Sequence, residues 1–189
     1  MSRRVLLLLV LVIVVIAGTA VALVVTARPD LSDGRAAVDS RWAPLRAPLS
    51  TRYDGLGQLA AALGEAGAGD RSYAVDLADE IVRWEALAGR DEPDAGAEAG
   101  SANRLEGLAA RARVNVSRSA RLNRDPEITQ GLAAFDAALV PNDAVEAYNR
   151  AVRRYQATRT DTLKRIPAGL LGYDARPVLV IGVVTPASG

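Results

Sequence analysis

Residues 5–25 form one continuous apolar run, broken only by Gly18 and Thr19. At 1.5 Å rise per residue such a run makes about 30 Å of helix, the thickness of one hydrocarbon core. A helix this uniformly apolar has no polar face to turn toward water, so a globular body cannot carry it on its surface. The run therefore predicts a single transmembrane helix, with residues 1–28 as anchor and flank, ending at Arg28-Pro29-Asp30. The competing expectation is a cleaved secretory signal with Ala20-Val21-Ala22 as the cleavage site, but the run exceeds the usual signal core. Arg3 and Arg4 favour a cytoplasmic N-terminus. Arg28, Arg35, Arg41 and Arg46 argue the reverse by count, yet long domains translocate largely regardless of charge. The expectation is a single-pass cell-membrane protein whose body lies outside the cytoplasm.

The body reads as helix throughout. Its organising stretch is residues 148–173, where Val145, Tyr148, Val152 and Tyr155 share one stripe at three-four spacing. Arg150, Arg153, Arg154 and Arg159 flank that stripe, which wants partners on one side only, as in a bundle. The tyrosines are expected as core filler with hydroxyls at the rim. Pro167 is expected to stop the helix, and Gly169 and Gly172 to let the chain reverse.

A first helix is expected over residues 31–63, its seam made of Val38, Trp42, Leu45, Leu49, Leu56, Leu59 and Leu63. Pro44 and Pro48 predict a kink or a fresh helix start. Arg52 occupies a seam position. The simpler expectation is that its stem packs and its head reaches solvent. The alternative is a buried guanidinium bonded to a carbonyl, an acid or a tyrosine hydroxyl, fixing helix register.

Gly64 to Gly69 predicts a turn, with Asp70 or Ser72 capping a second helix lined by Leu77, Ile81 and Trp84 and ended by Gly89. Residues 89–100 read as a mobile acidic loop. Asp91, Glu92, Asp94 and Glu98 lack the alternation of a calcium-binding loop. Ser101 is expected to cap a third helix, helical over residues 104–122, with Leu105, Leu108, Ala112, Val116 and Ser119 on its apolar face. Its arginines, Arg111, Arg113, Arg118, Arg121 and Arg124, have no interleaved aromatics, so they predict a solvated face rather than a nucleic-acid stripe. Asp125-Pro126-Glu127 is a strong helix start, followed by the stripe Ile128, Leu132, Phe135 and Leu139. Pro141 should interrupt before Asp143 restarts the organising helix. Beyond it, Val178 to Val184 is too short to span a bilayer and is expected as an extended segment laid on the bundle.

The residue inventory restricts the chemistry. The chain has no cysteine, no histidine and a formal net charge of +1. Disulfides and thiolate chemistry are excluded, the commonest general base and metal ligand are missing, and there is no electrostatic pull toward nucleic acid. Lys164, the only lysine, sits beside Arg165 at a helix end, where it is expected to cap carbonyls. No catalytic, cofactor-binding or metal residue is assigned, and no cofactor is expected.

Tyr148-Asn149, Ala151-Val152, Tyr155, Pro167, Gly172-Tyr173 and Arg176-Pro177 together resemble the C-terminal signature of LemA family proteins. Tyr155-Gln156 stands where the family repeats its tyrosine-asparagine pair. Trp42, Leu49 and Arg52-Tyr53-Asp54 resemble an N-terminal family segment, with Gly57-Gln58 in place of the usual proline-asparagine. Leu122-Asn123 with Ile128 and Leu132 is a weaker match. The resemblance spans most of residues 38–177, and the departures mark a divergent member. It implies an elongated, membrane-anchored helical protein of the bacterial envelope.

The combined expectation is an all-α protein. A transmembrane helix leads into an elongated antiparallel up-down bundle of about four helices over residues 29–173, and an extended tail covers residues 174–189. The expected function is a non-catalytic interaction or scaffold module, not an enzyme. Its partners are the lipid bilayer and other envelope proteins, with self-association open and no nucleic acid. The alternative is a sensor or small-ligand-binding domain with a pocket near Trp42, Tyr148 and Tyr155.

Overall fold

The computed structural model describes the backbone of residues 3–182 and, apart from Gly18, the side chains from residue 24 onward. Among the described residues the protein is all-helical: α1 (Arg3–Glu65), α2 (Ser72–Ala88), α3 (Ala95–Ser117), α4 (Pro126–Ala137), α5 (Asn142–Thr160) and α6 (Arg165–Leu170), with one 3₁₀ turn at Leu122–Arg124. The side chains of the expected membrane segment, residues 5–25, fall almost wholly outside the described ones, as does the alternative cleavage site at Ala20-Val21-Ala22. Among the described residues no helix is long and apolar enough to cross a membrane.

Helix α1 corrects the expectations placed on its prolines. It neither ends at Arg28-Pro29-Asp30 nor restarts at Pro48, but continues through Pro29, Pro44 and Pro48 to Glu65. An interior proline costs about 3 kcal/mol, chiefly by removing one N–H and crowding the carbonyl four residues back. Those carbonyls belong to Val25, Ser40 and Pro44, all exposed residues where water has access. The seam on the opposite face carries the helix through. Val38, Trp42, Leu45, Leu49, Leu56, Leu59 and Leu63 are completely buried. At about 1.5–3 kcal/mol for each large apolar side chain, that burial outweighs three lost bonds.

The chain divides into two compact units: Met1–Ala37 with Arg153–Ala175, and Val38–Val152 with Arg176–Gly189. In the first, Ala27, Leu31 and Ala168 form a small core with Tyr173 against it. The Tyr155 ring lies so close to Gly34 that a Cβ there would sit 3.1 Å from its Cδ2. Helix α5 stops at Thr160, earlier than the expected stop at Pro167. Asp161 turns the chain there: its carboxylate accepts from Leu163 N at 3.0 Å, and its carbonyl accepts from Lys164 N and Arg165 N. Pro167 sits instead in the first turn of α6, where no N–H is required. Lys164 pairs with Asp30 rather than capping carbonyls. Gly172, at φ 69°, closes α6, with Tyr173 N donating to Ala168 O at 2.9 Å.

In the second unit, Gly67 at φ 66° ends α1 in the same way, with Ala68 N donating to Leu63 O at 2.8 Å. Helix α2 begins at Ser72 after Arg71 and has no side-chain cap, so neither Asp70 nor Ser72 plays that part. Leu77, Ile81 and Trp84 are buried as expected, and Gly89 is the C-cap. The second half of the expected acidic loop is helix. Asp94 caps α3, accepting from Gly96 N at 3.1 Å and Ala97 N at 3.2 Å, and residues 89–94 stay non-helical. Ser101, expected as the cap, is buried within α3. Both ends of the helix expected over residues 104–122 lie too late in the chain, since α3 runs from Ala95 to Ser117. Asp125 caps α4 through Glu127 N and Ile128 N, as its sequence indicates. Ile128 and Phe135 are buried, but Leu139 is 85% exposed because α4 ends before it. Helices α1 and α4 approach closely through two glycines. A Cβ on Gly55 would lie 2.5 Å from Phe135 N, and one on Gly131 would lie 2.8 Å from Leu59 N.

Candidate functional site

Trp42 and Tyr148 meet as a tilted pair at 4.9 Å between centroids and 59° between planes, and both are completely buried. Tyr53 packs on Trp84 at 4.9 Å, nearly perpendicular. A cleft lies elsewhere, between α2 and α3. It measures about 580 Å³ and is lined by Asp76, Asp79, Glu80, Arg83, Arg104, Gly107, Leu108 and Arg111. Its charges largely answer one another, Arg104 bonding Glu80 at 2.8 Å and Arg111 bonding Asp76 at 3.1 Å.

Buried charges run through the second unit as paired sets. Arg52 is 4% exposed and does not snorkel, which corrects the simpler expectation. Its Nε donates to Glu106 Oε1 at 2.7 Å and its Nη2 to Glu106 Oε2 at 3.1 Å. Its Nη1 donates to Phe135 O at 2.8 Å, and the guanidinium stacks 3.7 Å from the Phe135 ring centroid. The sharper alternative thus describes it: one side chain on α1 ties α3 to the end of α4. A seam position could not reveal this, because both partners are distant in sequence.

Glu98, assigned to a solvated loop by the sequence, is completely buried. Its Oε2 accepts from Trp42 Nε1 at 2.7 Å and from Arg46 Nε at 3.0 Å, while Arg46 Nη2 reaches Ala88 O at 2.5 Å. Glu80 accepts from Ser101 Oγ at 2.5 Å. Among the described residues no group of three or more acidic, histidine or cysteine side chains is placed to hold a metal.

The tail from residue 176 to 182 has no regular secondary structure of its own and lies between α3 and α5. Asn149 Nδ2 donates to Leu179 O at 2.8 Å, and Leu179 N donates to Asn149 Oδ1 at 2.7 Å. On the other edge Asn103 Nδ2 donates to Val178 O at 2.7 Å, and Val180 N donates to Asn103 Oδ1 at 2.8 Å. Gly182 N continues that edge to Glu106 Oε2 at 3.0 Å. One residue's N–H and C=O face one helix, and its neighbours' groups face the other. That alternation is the hydrogen-bonding habit of an extended strand. Leu179 is 2% exposed while Val180 is 63% exposed, the same alternation in side chains. The expectation of an extended segment laid on the bundle fits this geometry; residues 183–189 lie outside the described ones.

Arg176 fixes the start of the tail. It is 7% exposed and forms ion pairs with Asp94 and, at 3.7 Å, with Asp39. Gly96 leaves room for it, since a Cβ there would meet the Arg176 side chain. Burial opposes ionisation of Asp94, but the Arg176 hydrogen bond and the N–H groups of Ala97 and Gly96 outweigh it. The Asp94 carboxyl therefore titrates below the ordinary range. Tyr148 donates to Pro177 O at 2.9 Å, and burial pushes its phenol well up, with Arg176 opposing. In the other unit Tyr155 donates to Asp174 O at 3.0 Å and Arg159 to Tyr173 O at 2.8 Å.

The two tyrosine hydroxyls thus serve the tail's main chain, beyond the core-filling part the spacing suggests. Asn149 stood in the tyrosine-asparagine pair with no role assigned, and Asn103 and Glu106 carried no signal of their own. Polar side chains on a helix face show a contact only when the strand they meet is in place. No protein-family model, curated protein or solved structure matches this chain.

Proposed function

We propose that this protein is a membrane-anchored, non-catalytic helical module of the cell envelope, akin to the LemA family, that works through contacts with other envelope proteins. The observation that carries this reading is where its buried charges go. Arg52 and Glu106, Glu80 and Ser101, Glu98 with Trp42 and Arg46, and Arg176 with Asp94 are each engaged in holding helix to helix or helix to tail. A body that commits its buried polar groups to register is built to present a fixed surface.

The apolar run at residues 5–25 supports the anchor by length and composition. The LemA-like kinship draws support from how the resembling residues cooperate. Tyr148, Asn149, Arg176 and Pro177 belong to a single bonded assembly rather than to scattered positions. Crosslinking in native membranes followed by pull-down is expected to recover the chain with other envelope proteins at defined stoichiometry. Recovery only as a free monomer, with residues 5–25 intact, would contradict the proposal.

A further inference from the structure

The groove between α3 and α5 is built to read a main chain. Asn149 and Asn103 satisfy the peptide groups of residues 178–180 on both edges, as neighbouring strands would in a sheet. Backbone recognition of this kind is indifferent to which chain supplies the strand. Side-chain selectivity comes from two places only: the Asp94 and Asp39 carboxylates that take Arg176, and the covered position that takes Leu179. Val178 and Val180 lie on the outer side, 37% and 63% exposed. The seat therefore selects an extended segment with arginine and, three positions on, an apolar residue.

The same chain carries that segment just after a stretch held by other partners, where Tyr155 donates to Asp174 O at 3.0 Å and Arg159 to Tyr173 O at 2.8 Å. Asp174 and Ala175, the residues that would have to re-aim, are exposed. A self-complementary segment beyond a short exposed connection is the arrangement from which identical elements are exchanged between copies.

We infer that the α3–α5 groove is an extended-peptide site whose occupant in trans is the tail of a second copy of this chain, residues 176–182. This deepens the interaction-module reading and rests on it. The experiment below reads the groove alone, so its failure leaves the anchoring and scaffold reading standing.

Two full-length variants in detergent micelles separate seat from tail. Leu179→Asp spoils the tail and leaves the seat; Asn103→Ala with Asn149→Ala spoils the seat and leaves the tail. Mixed together they should associate at least about tenfold more tightly than either variant with itself, because only the mixture offers an open seat and a sound tail. A labelled peptide of residues 176–182 should bind the Leu179→Asp chain at least about tenfold more tightly than the unaltered chain, whose own tail competes at an effective concentration of order millimolar. If Leu179→Asp reduces helical circular dichroism, Val180→Pro replaces it, removing the donor to Asn103 at an exposed position. Equal association in all pairings, or no peptide binding by a tail-spoiled chain of unchanged helicity, overturns the inference.

Discussion

Asn149 holds both main-chain polar groups of Leu179 with one side-chain amide, donating at 2.8 Å and accepting at 2.7 Å. Truncation to alanine would leave a partly buried N–H and C=O without partners. The expected cost is about 1–3 kcal/mol in urea denaturation, with faster amide exchange at Leu179. Asn149→Asp keeps the acceptor but sets a carboxylate oxygen against Leu179 O, so it should not restore the stability of the unaltered chain. Unchanged exchange at Leu179 in the alanine variant would mean the amide does not hold the tail.

Arg52 and Glu106 form a two-bond ion pair with side chains 5% and 8% exposed. Removing one member strands the other in a dry site. Arg52→Leu should therefore destabilise by about 3–5 kcal/mol, and Arg52→Leu with Glu106→Leu by distinctly less. A double-mutant cycle by urea denaturation measures the coupling. Additive losses would indicate that the pair is solvated.

Gly55 and Gly131 allow α1 and α4 to approach. Gly55→Ala gains helix propensity but would drive its methyl against the Phe135 backbone, so a net loss of about 1–3 kcal/mol is expected. Gly57 and Gly107 face open space, and alanine at either should stabilise by about 0.5–1 kcal/mol. Thermal denaturation of the three variants distinguishes close packing from propensity.

Asp94 titrates below its ordinary value in the folded chain. A depressed carboxyl contributes stability that is fully present above the unfolded value of about 3.9 and is lost as pH falls through the lower folded value. Tail protection, read as amide exchange at Leu179 and Val180, should hold from neutral pH to about 4 and weaken below it. In Asp94→Asn that acid-dependent step should shrink and protection should be lower at neutral pH.

The helices were legible because their apolar positions recur at helical spacing: the α1 seam, Leu77-Ile81-Trp84, and Tyr148-Val152-Tyr155 are all buried. The ends were less legible where side chains are ambiguous. Proline reads as a stop, yet Pro44 and Pro48 ride inside α1 because its far face is packed, and Pro167 starts a helix instead of ending one. Asp94 and Glu98 read as solvated acids. Their partners, Arg176 and Trp42, lie 82 and 56 residues away in the sequence. The tail seat was invisible for the same reason: an asparagine shows nothing of the strand it will clamp.

The account turns on a helical body tethered through residues 5–25 and displayed at the envelope, and carbonate extraction of native membranes tests this most directly. The intact chain should stay in the membrane pellet at alkaline pH, and a chain lacking residues 5–25 should appear in the soluble fraction with its helical circular dichroism retained. Release of the intact chain by carbonate would contradict the tether, and with it the placement of the body at the membrane.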